Sequence, residues 1–224
     1  MKTVLKGIAA LMVSAAPVVA GGLERAPQSI GILFEEGNYA ELSFGRVKPS
    51  ISGQDMPLSG GGSFGNVSAG YNFFGLGYKR QLNPNLSAAL IIEQPFGADI
   101  FYPAQSIALA GTAVTVDSTT YTALLRYKFE NNFGVHGGLR GSTADGDVTL
   151  RGAAYSSLDG YNVKLDGNTG WGYAVGVSWE KPEIAARVSL TYNSPITHDF
   201  KTTETLKGMP INPAGTSTTE IDTP

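Results

Sequence analysis

The sequence predicts an all-β protein: a transmembrane antiparallel β-barrel, incomplete on this chain, with a short hatch-like segment at its N-terminus. Three observations predict it. Apolar and polar residues alternate over runs of about ten residues, the length a tilted strand needs to cross a bilayer. The runs come in pairs joined by tight turns. Short and long connections then alternate along the chain, as periplasmic turns and external loops do in outer-membrane barrels.

The alternation is clearest between Thr119 and Asn193. Tyr121, Ala123, Leu125, Tyr127 and Phe129 share one face, and Thr120, Thr122, Leu124, Arg126 and Lys128 the other. Glu130-Asn131-Asn132 turns the chain. Phe133, Val135 and Leu139 then alternate with Gly134, His136, Gly138 and Arg140. A second pair follows, with Trp171, Tyr173, Val175, Val177 and Trp179 facing one way. Lys181-Pro182-Glu183 turns it, and Val188, Leu190 and Tyr192 return opposite Arg187, Ser189 and Thr191. One face of each run is apolar with aromatics near the ends, and the other is small, polar or basic. Soluble sandwiches alternate too, but over strands of about five or six residues. Phe129, Phe133, Trp171, Trp179 and Tyr192 suit the aromatic girdles at the two membrane interfaces.

Composition narrows the class. Charged residues make up 16% of the 224, and the net charge of -3 lacks the basic excess of a nucleic-acid binder. Mean hydropathy is near zero, unlike that of a helical membrane protein but usual for a barrel, where only alternate residues meet lipid. Cysteine is absent, which excludes a disulfide scaffold and thiolate metal sites.

In chain order, residues 1–20 have the form of a secretory signal peptide. Lys2 and Lys6 precede an apolar core, and Val18-Val19-Ala20 places small residues at the cleavage point. Residues 21–38 do not alternate and are expected to be a short hatch or a periplasmic lead-in. Residues 39–224 are then a partial barrel with long external loops. Its first three strands are expected at 39–47, 67–80 and 86–93. The short turns fall at 81–85, 130–132 and 181–183, and the long links at 48–66, 94–117 and 144–168. This counts about seven strands, an odd number that does not close a bacterial single-chain barrel. The chain is therefore expected to be the N-terminal portion of a longer protein.

Pro95-Phe96-Gly97 and Trp171-Gly172 leading to Gly176 resemble the FadL/TodX family of outer-membrane transporters. So, most specifically, does the run from Arg187 through Tyr192-Asn193-Ser194-Pro195-Ile196 to His198. The resemblance is best over 121–198. It implies a barrel of about fourteen strands with a hatch in its lumen. It also implies a location in the cell outer membrane, contact with outer-membrane lipid, and uptake of long-chain fatty acids or other hydrophobic small molecules. Residues 21–38 lack the Asn-Pro-Ala motif of the family's hatch. Asn212-Pro213-Ala214-Gly215 is instead expected to be a loop turn.

If the apolar face meets lipid, Arg126, Lys128, His136, Arg140 and Arg187 point into the lumen with Glu41 and Glu180. Arg126, Arg140 and Arg187 are the candidate substrate-binding residues, because a guanidinium can hold a carboxylate through two hydrogen bonds. Pairing with Glu41 or Glu180 would produce the same pattern without any ligand. No catalytic or metal-binding residue is expected. Only Ser142 and His136 share a face among possible hydrolase partners, and two distant histidines do not form a metal ligand set. The run 60–65 precedes a strand rather than a helix, so it is no phosphate loop, and no cofactor is implied. Two other readings follow the same residues: a structural or adhesive barrel that binds a partner through its external loops, and a soluble secreted β-protein.

Overall fold

The computed structural model describes residues 23–26, 28–57 and 61–223, so the expected signal peptide at 1–20 lies outside them. The strands are β1 (Tyr39–Val47), β2 (Gly53–Gln54), β3 (Ser63–Phe64), β4 (Tyr71–Gln81), β5 (Leu86–Glu93), β6 (Gly97–Phe101), β7 (Ala113–Lys128), β8 (Phe133–Leu150), β9 (Tyr161–Lys181), β10 (Ala186–Asn193), β11 (Ile196–Leu206), β12 (Met209–Pro210) and β13 (Ser217–Thr223). Apart from the small β2–β3 hairpin they form one antiparallel sheet, ordered β1-β4-β5-β7-β8-β9-β11-β12. β6 is added on β7, β10 on β9 and β13 on β11. Among the described residues β1 pairs only with β4, so the wall is a partial barrel with two edges.

Several of these strands are two halves of one wall strand. β5 and β6 both pair with β7, and the step from Glu93–Thr120 to Gly97–Asp117 holds one extra residue on the β5–β6 side. The break falls at Gln94–Phe96, where buried Pro95 has no N–H to give to the ladder. β10 and β11 both follow β9 in one register, from Asn193–Ala174 to Thr202–Leu165, with the break at Ser194-Pro195. β12 and β13 both return along β11. Among the described residues the wall therefore has eight strands, one more than the alternation predicts. The connections differ from expectation in the same way. Residues 144–150 and 161–168 continue the ladder, so the link is 151–160, and the link after β6 is 102–112. Asn212-Pro213-Ala214-Gly215 does form a turn, closed by Gly215 N–H donating to Asn212 O at 2.8 Å.

The two faces have opposite environments. Leu124 and Arg140 are each 2% exposed, while their neighbours Leu125 and Leu139 are 55% and 63% exposed. Outward-facing Phe129, Phe133, Trp171 and Tyr192 are all exposed, and Trp179 is half-buried. Within the curve lies the N-terminal segment. Its 3-10 turn, Gly31–Phe34, seats Ile32 and Leu33 against Ala89, Ile91, Leu124 and Ala174. That apolar cluster on a largely polar inner face holds the segment in place. Close approach of the β7 and β8 backbones requires Gly138, since a Cβ there would lie 1.9 Å from Ala123 O.

Candidate functional site

Strand pairing stacks the inner-face residues in rows. Arg126 stands beside His136, then Gly176, then Thr191, across β7 to β10. The next row toward the long connections is Leu124, Gly138, Ala174 and Asn193. Above it come Thr122, Arg140 and Gly172, then Thr120, Ser142 and Gly170. Four residues of β8 separate His136 from Arg140, about 13 Å at the strand rise. The charges consequently gather in two centres, one on each side of the apolar cluster.

The first centre, nearer the short turns, is built on Glu180. Arg126 Nη2 donates to Glu180 Oε2. Arg187 Nε lies 3.7 Å from the other carboxylate oxygen, and Lys128 Nζ 3.9 Å from the first. Phe34 sits between the two arginines, each guanidinium carbon 4.7 Å from the ring centroid. Both cation–π contacts fix the end of the N-terminal segment. His136 meets the same ring edge-on, and its Nε2 lies 2.9 Å from Thr191 Oγ1. Gly176 leaves room for this imidazole, because a Cβ there would be 2.3 Å from Nε2. Lys79, which the sequence reasoning passed over, is 2% exposed. Its ammonium donates to Glu35 O at 2.7 Å, Gly37 O at 3.0 Å and Gln81 Oε1 at 2.9 Å.

The second centre is Arg140. Its side chain is buried, and Nη1 has no partner among the described protein atoms. Thr122 is its lateral neighbour, and the Thr120 hydroxyl donates to Ser142 Oγ at 3.0 Å in the row above. Glu93, on β5 beside Thr120, acts on the guanidinium electrostatically. Of the three predicted arginines, the structure therefore brings Arg126 and Arg187 together and holds Arg140 apart. Ser142 and His136 share the inner face but bond to Thr120 and Thr191 respectively. Six residues of one strand, about 20 Å, separate them, so they do not assemble a hydrolase pair.

The break in the third wall strand is occupied as well. Arg25 and Ala26 donate their N–H groups to Pro95 O at 2.7 and 3.3 Å, and Gly97 N–H donates to Leu23 O at 2.8 Å. Arg25 Nη1 pairs with Asp117 at 2.9 Å, and its guanidinium lies 4.4 Å over the Tyr71 ring. Gly97 makes this possible, since a Cβ there would lie 2.2 Å from the guanidinium carbon.

No protein-family model and no curated protein matches the sequence. Among solved structures, the chain is similar to the crystal structure of a Pseudomonas aeruginosa FadL homologue. The TM-score is 0.50 and the identity 16%, over 75% of this chain and 44% of that one. This chain thus spans less than half of that protein's length. The likeness is one of fold and agrees with a partial antiparallel barrel.

Proposed function

We propose that this chain is part of an outer-membrane barrel that takes up long-chain fatty acids or other hydrophobic molecules, and that Arg140 holds the anionic head group. The observation that carries the reading is the buried guanidinium with a free Nη1 donor, set above the apolar cluster of Leu33, Ile91 and Leu124. An unmade hydrogen bond on a buried charged group is costly, and a carboxylate would complete it. Arg126 and Arg187, already engaged with Glu180 and Phe34, secure the inner segment instead. That segment serves as a short hatch, and the wall break at 94–96 gives a sideways route once Leu23–Ala26 leaves it. The outward apolar band of Leu42, Leu125, Leu139 and Leu190 supports contact with membrane lipid.

The test is binding of labelled oleate to the detergent-solubilised protein. Arg140→Ala is expected to weaken binding by about tenfold or more, the worth of one hydrogen bond to a charged group. Arg126→Ala should weaken it far less. Oleate affinity unchanged by Arg140→Ala would refute the head-group assignment.

One observation favours a second reading, a barrel that binds a partner through rigid external loops. The three long connections are locked together. Asp55 accepts from Ser106 Oγ at 2.7 Å and from Ile107 N–H at 2.7 Å, while Ala154 N–H donates to Ala108 O at 2.9 Å and Thr112 Oγ1 to Arg151 O at 2.7 Å. Cells that express the protein but accumulate no fatty acid would favour this reading over transport.

A further inference from the structure

We propose that the cavity at the short-turn end of the inner face binds a short-chain organic carboxylate, held by Ser87, Lys128 and Arg187. This site is separate from Arg140 and does not rest on the head-group assignment.

The cavity has room for such a molecule. It measures about 420 Å³, within the size range of small-molecule sites. Gln81, Ser87 and Arg126 stand side by side across β4, β5 and β7 and form one of its walls, with Lys128 two residues nearer the turn. Arg187 borders it from β10, and residues 34–37 of the N-terminal segment line it as well.

Three of the lining groups keep hydrogens unspent. Ser87 is 3% exposed, yet its hydroxyl has no hydrogen-bond partner among the described residues. A buried polar group left so is costly, and a hydroxyl rotates to donate to any acceptor that arrives. Arg187 reaches Glu180 only through Nε at 3.7 Å, and Lys128 Nζ stops 3.9 Å from the same carboxylate. Both distances exceed hydrogen-bond reach. Arg126 hydrogen-bonds Glu180 instead. The two Nη groups of Arg187 and the ammonium of Lys128 are therefore free to hold a further acceptor.

Charge and shape select the ligand class. Lys79, buried at the same cavity, donates only to neutral oxygens, those of Glu35 O, Gly37 O and Gln81 Oε1, so no contact cancels its charge. Among the described residues that border the cavity, Lys79, Arg126, Lys128 and Arg187 stand against Glu35, Glu36 and Glu180. One mono-anion balances the set. The guanidinium fork matches a carboxylate, while the ammonium and the hydroxyl each add a single donor. Pro84, Pro182, Ala185 and Ala186 line the rest with small apolar surfaces that suit a short carbon chain.

Titration of the detergent-solubilised protein with sodium butyrate reads the site. Butyrate should bind saturably and raise the melting temperature, beyond the effect of sodium chloride at the same ionic strength. Ser87→Ala and Lys128→Gln are each expected to weaken butyrate about tenfold, the worth of one hydrogen bond to a charged group. Crystals soaked in 4-bromobutyrate should show an anomalous bromine peak inside the cavity. Butyrate affinity identical in wild type and both variants overturns the proposal. So does stabilisation by chloride equal to that by butyrate, or a bromine peak found only elsewhere. Arg140→Ala should leave butyrate affinity unchanged, whatever it does to oleate. Butyrate binding lost in that variant would put the carboxylate at Arg140 and overturn this site alone.

Discussion

Lys79→Met isolates the link that ties the N-terminal segment to the wall. The methionine keeps most of the buried stem and removes the ammonium, together with its hydrogen bonds to Glu35 O, Gly37 O and Gln81 Oε1. Hydrogen bonds to a charged group are worth about 1.5 to 3 kcal/mol each, and the desolvation of the ammonium offsets part of their sum. A net loss of about 3 kcal/mol in docking the segment is therefore expected, or roughly a hundredfold more of the undocked form. Hydrogen exchange by mass spectrometry reads this directly. The N–H groups of Leu33 and Glu35, bonded to Ile30 O and Ile32 O, should exchange about a hundredfold faster. The amides of β8 and β9 should not change. Exchange of residues 30–38 at the wild-type rate would show that the apolar contacts of Ile32 and Leu33 suffice, and the reasoning about Lys79 would fail.

Other consequences follow from single groups. Gly138→Ala sets a methyl group against the Ala123 carbonyl and should cost at least about 3 kcal/mol, whereas Gly167→Ala meets nothing within 4 Å; gel mobility before and after boiling should show loss of the folded band only in the first. The Asp55 carboxyl is held below its ordinary value, chiefly by the Ser106 hydroxyl and further by the amides of Ala108 and Ile107, against the opposing effect of burial. A depressed carboxyl stabilises the loop lock above its unfolded value near 3.8 and loses that contribution as pH falls through the lower folded value. Protease cutting within 103–111 should therefore be slow at neutral pH and increase only below about pH 4, while Asp55→Asn should be cut rapidly throughout. Burial, together with the hydrogen bond to Glu204, pushes the Tyr161 hydroxyl up to about 12. Its stabilising effect is thus complete below the usual value of 10.0 and fades toward 12, and an ultraviolet titration should lose one late-ionising phenol in Tyr161→Phe.

How much of the wall could be seen in the sequence depended on contrast between its faces. Where one face is exposed and apolar, as from Tyr121 to Leu139 or Trp171 to Tyr192, the period of two is plain and the strands lie where it puts them. Past those belts the outward face turns polar, with Asp145, Asp147 and Lys164, and the ladder continues without any apolar signal. Bulges then invert the parity. β8 and β9 shift register between Ala144 and Gly146, and the chain breaks again at Ser194-Pro195. Beyond that break Ile196, His198, Phe200 and Thr202 are the buried side chains, whereas before it the even-numbered Val188, Leu190 and Tyr192 are the exposed ones. The register against β9 holds no extra residue at that break, yet the buried face changes parity across it, so to a period of two the same strand looks like its own end. The eighth strand, Ser217–Thr223, is polar on both faces and gives no period at all.

The division of the cations into two centres was partly legible and partly not. Parity alone put Arg126, Arg140 and Arg187 on the inner face, but the turn at 130–132 already held more. A hairpin closed there sets Arg126 opposite His136, and Arg140 then stands two side-chain levels farther along the same wall. That spacing, about 13 Å, is too great for the two arginines to share one carboxylate. The meeting of Arg126 with Arg187 had no such local sign. The turn at 181–183 sets Arg187 opposite Glu180, but Arg126 lies across β8 and β9 from Arg187, and its long side chain reaches inward to the same carboxylate and to Phe34. Phe34 comes from a segment without periodicity, 92 positions before Arg126 by the difference of their numbers. Its place was fixed by the buried Leu33 beside it, whose partners on β5, β7 and β9 become neighbours only once the sheet has formed. Arg140 stays unpaired for the converse reason. The apolar cluster lies between it and the Glu180 centre, and no carboxylate of the segment reaches its row. The group most open to an incoming anion is thus the one that Glu93 of the wall influences only through space, with Nη1 left without a partner among the described protein atoms.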